Sequence, residues 1–315
     1  MGFFASLINS MPSAVAQGLI WGIMAIGVYL TYRILDVADL TVDGSLGTGG
    51  AVCVVMVLNG APVGLALLAA TAAGMLAGLV TGLFHTACGI PAILAGILTQ
   101  LALYSVNLRI MGFGTGGGKA NLPISVDKYG LLVSARYVRN VALNNPILIL
   151  AIFCAVLIAV LYWFFGTELG CSLRATGANQ NMARAQGINT NVTKVLGLMI
   201  SNGLVALAGG LLAQYQGFSD INMGRGAIVI GLAAVIIGEV IFSRIFRNFA
   251  LKLLSAVIGA IIYYIVMVFV LRLGLSTDDL KLLTALVVAL FLTIPYWKGK
   301  YFTKTSVKKG EKNHA

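Results

Sequence analysis

The stretch GTELGCSLRATGANQNMARAQGINTN, residues 166–191, is a polar run between two long apolar segments. Arg174 and Arg184 lie within it, and Lys194 follows it closely. Loops of membrane proteins that carry Lys and Arg face the cytoplasm. The pattern therefore predicts a cytoplasmic segment in the middle of a membrane protein.

The same stretch has the local chemistry of a short capped helix. Asn179 can accept hydrogen bonds from the first free backbone N–H groups of a helix, and residues 180–186 are good or neutral helix formers. Gly187 suits the left-handed conformation that ends a helix. We predict a folded cytoplasmic helix here, with a linker between two membrane segments as the simpler alternative.

Composition sets the class of protein. The chain has 315 residues, of which 59% are hydrophobic and 10% are charged, against about 25% charged residues in an ordinary soluble domain. We predict an all-α integral membrane protein. The net charge of +11 comes from cations between the apolar segments and in the tail, so nucleic-acid binding is not expected. Four free thiols, no metal and no cofactor are predicted.

About nine apolar segments are long enough to enter a membrane. Seven are full-length, and two shorter ones begin in glycine-rich polar sequence. The full-length segments are Ala14–Arg33, Pro62–Phe84, Pro91–Met111, Pro146–Phe165, Val192–Gln216, Ala250–Leu273 and Leu280–Trp297, and the shorter ones are Gly44–Leu58 and Gly226–Phe242. The predicted units are a first membrane repeat (1–165), the cytoplasmic loop (166–191), a second membrane repeat (192–297) and a basic cytoplasmic tail (298–315).

Charge predicts the orientation of these segments. If the tail and the 166–191 loop face the cytoplasm, nine segments place the N-terminus outside. This topology puts thirteen Lys and Arg residues inside and eight outside, in the direction that the positive-inside rule requires. The loop 112–145 carries four cations on the outer side, and the rule is weaker for longer loops.

The outer loop contains GFGTGGGK, in which Gly112, Gly114 and Gly117 match G-x-G-x-x-G. No strand precedes it, and the P-loop pattern fails because Phe113 replaces its first Gly and Ala120 replaces Ser/Thr. We interpret it as a flexible external turn. Since no other stretch offers a phosphate-binding loop, ATP-driven transport would need an ATPase on another chain.

The two shorter segments resemble each other. One is entered through ADLTVDGS, residues 38–45, and the other through SDINMGRG, residues 219–226. A shift of 181 residues superposes Asp39 on Asp220 and also lays the first span over the span before the second motif. Five segments lie between the Asp39 and Asp220 motifs, and because this number is odd, the second motif enters from the opposite side of the membrane. The sequence therefore predicts two inverted repeats with interrupted helices.

Interrupted helices of inverted repeats bring polar groups to a transport pathway. The predicted pathway residues of the first motif face the inner mouth, and those of the second face the outer mouth. The pathway set is Asp39, Thr41, Asp43 and Ser45, then Gln100 and Asn107, then Asp220, Asn222 and Arg225. The alternative for the carboxylates is helix capping, which we favour for Asp43.

Polar and small residues within full-length spans have a simpler alternative role. Gln100 and Asn107 are seven residues apart and share a helix face; with Asn202 they either line a path or form interhelical hydrogen bonds. Gly74, Gly78 and Gly82 recur every fourth residue. Close helix packing explains these glycines without a ligand.

The 166–191 stretch resembles the cytoplasmic coupling loop of bacterial ABC importer permeases, in the branched-chain amino-acid and ribose permease family. The matching residues are Gly170, Arg174, Ala175, Asn179, Ala183, Gly187, Ile188 and Asn189. The first motif is similar to the Asp-Leu-Ser-Val-Gly of the sugar branch, with Thr41 for Ser and Asp43 inserted before Gly44. The second short segment is similar to the family's Ala-Ala-Val-x-x-Gly through residues 233–238.

The resemblance implies a permease subunit in a bacterial inner membrane, without enzymatic activity of its own. It implies as partners a cytoplasmic ABC ATPase, an external solute-binding lipoprotein and a second permease chain, as a homodimer or a heterodimer. From the basic tail we also expect contact with membrane lipid. The implied ATPase-coupling residues are Gly170, Arg174, Ala175, Asn179, Ala183, Arg184 and Gly187.

The cargo stays open at this level. An aromatic or branched-chain amino acid is our first expectation because the pathway motif departs from the sugar pattern, with small sugars and nucleosides as alternatives. An ion-coupled secondary transporter has similar inverted repeats and membrane carboxylates. An intramembrane hydrolase or transferase has little support, since the sequence has two histidines and neither HExxH nor GxSxG.

Overall fold

The computed structural model describes residues 3–113, 117–125, 128–138, 145–242, 245–246, 248–272 and 280–297. These residues are mostly helical. The elements are α1 (Phe3–Tyr29), α2 (Val42–Leu58), α3 (Val63–Thr86), α4 (Ala92–Met111), β1 (Asn121–Pro123), α5 (Pro146–Phe164), α6 (Glu168–Ala178), α7 (Gln180–Ala185), α8 (Thr190–Gln216), β2 (Phe218–Asp220), α9 (Ala227–Phe242), α10 (Phe249–Arg272) and α11 (Leu280–Trp297).

In this part of the chain six helices are long and apolar enough to cross a membrane: α1 with its extension to Ile34, α3, α4, α5, α8 and α10. The two predicted short segments form α2 and α9, which are apolar but shorter. Nine crossings therefore stay a prediction. The outer helices expose large apolar side chains, including Leu68 at 72% and Trp163 at 72%, as a lipid-facing surface requires. The predicted tail, 298–315, and part of the glycine-rich turn lie outside the described residues.

The long helices α1 and α8 lie antiparallel at the centre of the molecule. Near one end Ser13 Oγ is 3.0 Å from the Tyr215 hydroxyl, and further along the pair Ser201 Oγ donates to the Gly27 carbonyl over 2.8 Å. Helix α3 packs on α8, and α10 packs on α1. A Cβ at Gly74 would overlap the Asn202 carbonyl of α8, which confirms the predicted close packing at the α3 glycines.

The helical structure is interrupted between α1 and α2. After α1 one π-helical turn covers Leu30–Ile34, and Asp36 then takes a left-handed conformation with φ 54°, one that Asp tolerates. Residues 36–39 are not helical. Asp39 Oδ1 accepts the Thr41 N–H over 2.9 Å, and α2 begins at the next residue.

Helix α2 begins beside the middle of α8 and runs parallel to its second half. Ser45, near the start of α2, contacts Asn202, and Cys53, further along, contacts Gln214. A Cβ at Gly49 would overlap the Ala206 carbonyl, so glycine is needed where the two backbones touch.

The start of α9 repeats this arrangement. Strand β2 pairs antiparallel with β1, with Asp220 opposite Asn121. Asp220 Oδ1 then accepts the Asn222 N–H over 2.7 Å, which is the turn that Asp39 forms before α2. Helix α9 follows the second half of α1, with Gly231 against Met24 and Val28.

The N-terminal ends of α2 and α9 meet inside the molecule. The carboxylate of Asp43, in the first turn of α2, accepts hydrogen bonds of 2.9 Å from the backbone N–H groups of both Gly226 and Ile228. The two motifs therefore touch at Asp43, while their placement toward the inner and outer mouths stays a prediction. Each short helix starts part-way along a full-length neighbouring helix. The N-terminal ends of α2 and α9 therefore lie side by side within the helix bundle.

Candidate functional site

A pocket of about 420 Å³ lies where α2 begins, between α4 and the segment that precedes α9. Its volume is within the range of small-molecule sites. Four of the nine predicted pathway residues line it together: Asp43, Gln100, Asn107 and Arg225. Its other lining residues are Gly44, Leu101, Tyr104 and Ile221.

Helix α4 supplies one wall of this pocket. Gln100 and Asn107 are both on that wall, as their spacing of two helical turns predicts. Asn107 is buried, and its Nδ2 lies 3.4 Å from the Gly44 carbonyl. A Cβ at Gly47 would lie 3.2 Å from the same nitrogen. The small residues of α2 therefore make room for the Asn107 amide.

The charges of the pocket come from opposite halves of the chain. Asp43 uses both carboxylate oxygens to cap α9, so the capping role that the sequence favoured for it is confirmed, although the capped helix belongs to the other motif. Arg225 is exposed, and its guanidinium carbon lies 6.0 Å from the centroid of the Tyr104 ring. The N-termini of α2 and α9 add partial positive charge.

Three predicted pathway residues lie in a buried network instead of the pocket. Asn202 Nδ2 donates to Asp39 Oδ2 over 2.7 Å, and Ser45 Oγ donates to Asn202 Oδ1 over 2.6 Å. Thr41 Oγ1 is 2.7 Å from Thr81 Oγ1. Asp39, Thr41 and Ser45 are each at most 2% exposed. The contacts of Asn202 tie α8 to the start of α2 and to the non-helical segment before it, which for this residue is the interhelical role that the sequence left open.

The remaining two predicted pathway residues form the turn before α9. Asp220 Oδ2 lies 3.4 Å from Asn121 Nδ2, and Asn222 is exposed. Neither residue lines the pocket. Asp220 therefore links the two short strands and shapes the chain that leads to Arg225.

The 166–191 stretch folds as two helices. The predicted capped helix is confirmed as α7: Asn179 Oδ1 accepts the N–H groups of Asn181 and Met182 over 3.1 Å. Gly187 has φ 83°, and the Ile188 N–H returns to the Ala183 carbonyl, which is the hydrogen bond of a helix C-cap with a left-handed residue. Helix α6, which begins after the Thr167 cap, was not predicted.

Both arginines of this loop make contacts within the chain. The guanidinium carbon of Arg174 lies 4.3 Å from the Phe249 ring centroid and 5.4 Å from that of Phe165, a cation–π contact between α6 and α10. Arg184 Nε donates to Thr190 Oγ1 over 2.7 Å. The two arginines therefore hold the loop against the membrane helices, although both stay exposed.

Some of the other predicted coupling residues are buried beneath the loop, and the rest lie on its surface. Gly170 is buried, and a Cβ there would overlap the Phe164 carbonyl. Ala183 is buried, Ala175 is half-buried, and Asn179 and Gly187 are exposed. The loop thus offers an outer face whose shape depends on small residues beneath it.

Sequence reasoning missed several residues of both sites and an ion pair outside them. Leu169 and Met182 are apolar, lie on α6 and α7, and are 55% and 60% exposed; a large apolar side chain in a polar loop is the signal that marks them. Tyr104 of the pocket lies one helical turn from Gln100, on the face already identified. Arg33 and Glu239 form a bidentate ion pair of 2.7 and 2.5 Å between the ends of α1 and α9; their isolation within apolar sequence marks them.

The described residues contain no group of three or more His, Cys, Asp or Glu side chains that could hold a metal ion. All four cysteines are free: Cys53 and Cys154 are buried, and Cys88 and Cys171 are exposed.

Comparisons with known proteins address the family of this chain. Residues 10–294 match the model of the branched-chain amino acid transport system permease component family. The chain is 41% identical over 286 residues, 90% of each chain, to a tyrosine transport system permease protein of Clostridioides difficile strain R20291. It is 28% identical over 233 residues to the ribose import permease protein of Escherichia coli strain K12, covering 73% of this chain and 69% of that protein.

A solved structure supports the fold. The structure described as PsaBC from Streptococcus pneumoniae in complex with Fab matches with a TM-score of 0.52 at 16% identity, covering 95% of this chain and 98% of that one. The match shows a shared architecture across almost the whole length. The family match over residues 10–294 and the 41% identity over 90% of both chains show that this chain belongs to the branched-chain amino acid transport permease family and is the membrane permease component of an ABC importer.

Proposed function

We propose that this permease imports an amino acid with an aromatic side chain, such as tyrosine. The observation that carries the proposal is the 41% identity, over 90% of both chains, to a tyrosine transport permease. The ribose permease is more distant, at 28% identity. The charged lining of the 420 Å³ pocket also suits a charged solute better than a neutral sugar.

Two inverted repeats with interrupted helices form the transport unit in this proposal, as nine membrane segments. The first repeat falls within residues 1–165 and the second within 192–297. Two features support it: α2 lies along α8 while α9 lies along α1, and the Asp39 and Asp220 turns are alike. Rocking of one repeat against the other would then open the pathway, with the residues 39–45 and 219–226 at its moving junction.

The family implies an ATPase and a solute-binding protein as partners, and we propose that α6 and α7 form the docking surface for the ATPase. The exposed apolar side chains Leu169 and Met182 provide its contact area, and the residues identified from the sequence, Gly170, Arg174, Ala175, Asn179, Ala183, Arg184 and Gly187, give the loop its shape. In this arrangement the contact of Arg174 with Phe249 carries the movement of α6 to α10.

The remaining partner is a second copy of this permease. The pocket reaches the surface on the exposed side of α4, where Leu101 is 65% exposed. Charged side chains are costly next to lipid, so a second chain or water must cover this opening. We place the C-terminus and its basic tail on the cytoplasmic side of the inner membrane, where the tail contacts anionic lipid.

Uptake by proteoliposomes tests the proposed cargo. The permease is reconstituted with its ATPase and solute-binding protein, and radiolabelled L-tyrosine uptake is compared with that of L-isoleucine and D-ribose. We expect tyrosine uptake to require ATP and both partners. Uptake of ribose but not tyrosine would reject the amino acid assignment.

Substitution of the two exposed apolar residues tests the docking surface. Leu169→Glu combined with Met182→Glu places carboxylates on the outer face of α6 and α7, and we expect at least a tenfold loss of ATPase co-purification, since desolvating an unpaired charge at an interface is costly. The matched control is Phe113→Glu, because Phe113 is 77% exposed but lies in the loop after α4. Equal co-purification of the double variant and the control would reject this surface.

A further inference from the structure

The polar groups of the 420 Å³ pocket include one that the fold leaves without a partner. Asn107 is 2% exposed. Its Oδ1 atom has no hydrogen-bond partner within the described residues, although buried polar atoms in native structures are nearly always paired. The Nδ2 atom donates to the Gly44 carbonyl over 3.4 Å. The Oδ1 atom is therefore left without a donor among the described residues and can accept a hydrogen bond from a bound solute.

A second group in the same pocket lacks an ionic partner. Among the residues that the structure describes, Arg33 and Glu239 form the one ion pair, so Arg225 has no carboxylate partner there. The acidic residue of the pocket, Asp43, already uses both oxygens on the backbone of α9. The contact of Arg225 with the Tyr104 ring, at 6.0 Å, leaves its N–H donors available.

The surroundings of the pocket indicate what fills it. Leu101 lines the pocket and is 65% exposed, and Leu98, one helical turn before it on α4, is 43% exposed. Both side chains suit an apolar environment. An arginine and a buried amide oxygen do not suit an apolar environment. The space between them must therefore hold water or a polar solute. A solute that satisfies both groups must bring an anionic acceptor for Arg225 and a hydrogen-bond donor for Asn107.

We propose that this pocket is an α-amino acid subsite, in which the α-carboxylate binds Arg225 and the α-ammonium donates to Asn107 Oδ1. A guanidinium binds a carboxylate through two parallel hydrogen bonds, and an ammonium group has three donors. A neutral sugar would satisfy Asn107 but leave Arg225 without an anion. Tyr104 and Ile221 form the walls for the side chain. This assignment rests on the proposed amino acid cargo, and it places part of the substrate selection in the permease itself.

Protection of an introduced cysteine tests the subsite directly. Leu101→Cys places a thiol at the pocket in a background of Cys88→Ser and Cys171→Ser, which removes the exposed native thiols. The full-length permease, purified with its ATPase in lipid nanodiscs, is treated with a methanethiosulfonate reagent. The added probes are L-tyrosine, tyramine, which lacks the carboxylate, 3-(4-hydroxyphenyl)propionate, which lacks the ammonium, and D-ribose.

We expect L-tyrosine to slow the modification of the introduced thiol severalfold. Tyramine and 3-(4-hydroxyphenyl)propionate should each need at least about tenfold higher concentration, because each loses one charged hydrogen-bonding group. Arg225→Gln should reduce tyrosine protection to the level of tyramine, and Arg225→Lys should restore part of it. The control Lys119→Gln, in the loop after α4, should change nothing.

Asn107 is tested by a pair of substitutions. Asn107→Leu removes the acceptor oxygen, so tyrosine and 3-(4-hydroxyphenyl)propionate should then protect equally. Asn107→Asp keeps an oxygen in a side chain of the same shape and should retain the preference for tyrosine. This variant keeps the test valid if the leucine variant does not fold.

The outcomes separate this inference from the proposed cargo. Failure of the wild-type complex to import tyrosine rejects the proposed function. Normal tyrosine import together with unchanged import and protection in Arg225→Gln and Asn107→Leu overturns the subsite alone. Absence of protection by tyrosine in an importing complex, or equal protection by D-ribose, also overturns it.

Discussion

At the residue scale, Asp43 connects two elements that are more than 180 residues apart in the sequence. It lies in the first turn of α2 and caps α9 through hydrogen bonds from Gly226 and Ile228 of 2.9 Å each. A carboxylate at the N-terminus of a helix offsets both its unpaired N–H groups and its partial positive charge. One side chain therefore fixes the junction of α2 and α9.

Asp43→Ala should destabilise this junction, because two partly buried N–H groups at the start of α9 lose their acceptor and the loss of a helix cap costs about 1–2 kcal/mol. We expect a lower midpoint of thermal unfolding in detergent, with a smaller decrease for Asp43→Asn, which keeps one acceptor oxygen. Asp36→Asn is the control, since Asp36 is exposed with φ 54°, and Asn also tolerates that conformation. A midpoint for Asp43→Ala equal to that of the control would contradict the cap.

At the element scale, contact between α2 and α8 sets the position of the pocket. A Cβ at Gly49 would overlap the Ala206 carbonyl, and neither backbone can move without displacing other helices. Gly49→Ala should therefore cost about 1–3 kcal/mol through overpacking. The measurement is the unfolding midpoint together with tyrosine uptake.

Gly64→Ala is the matched control for this substitution. Gly64 lies in the first turn of α3, and a Cβ there would meet nothing within 4 Å. It should be neutral or slightly stabilising, because alanine favours helix over glycine by up to about 1 kcal/mol. Equal effects of the two substitutions would show that the overlap at Gly49 is relieved at no cost.

A second contact between elements joins the end of α1 to α9. Arg33 and Glu239 form two hydrogen bonds of 2.7 and 2.5 Å. Exchange of the charges by Arg33→Glu with Glu239→Arg should restore most of the stability that either single substitution loses. Because the pair is partly exposed, we expect a coupling energy of about 1 kcal/mol or less in a double-mutant cycle. Additive single effects would mean that the pair contributes no net stability.

At the scale of the whole molecule, the proposed topology places both exposed native cysteines on one side. Cys88 follows α3 and Cys171 lies in α6, and both are cytoplasmic in the proposal. In single-cysteine variants, a membrane-impermeant maleimide should label neither residue in intact spheroplasts and both after permeabilisation. Lys119→Cys, on the outer side, should be labelled in both preparations. Labelling of Cys171 in intact spheroplasts would place α6 outside and remove it from reach of a cytoplasmic ATPase.

The sequence by itself determined the class of the protein and its local helix caps and turns. Apolar segments of membrane length have few alternatives because lipid offers no hydrogen bonds to the backbone. Asn179 and Gly187 act on neighbouring backbone, so a short stretch predicted the α7 caps. The similar turns at Asp39 and Asp220 were visible as a repeated pattern for the same local reason.

Only the tertiary structure decided which polar residues meet. It buried Asp39, Thr41 and Ser45 in contacts between helices, and it joined Asp43, Gln100, Asn107 and Arg225 at one pocket. It also turned Arg174 toward Phe249 and left Leu169 and Met182 at the surface. The spacing of residues along the chain determines which of them share a helix face. Which helix packs against that face depends on how helices distant in sequence cross. Here glycine contacts between α2, α3 and α8 determine that crossing.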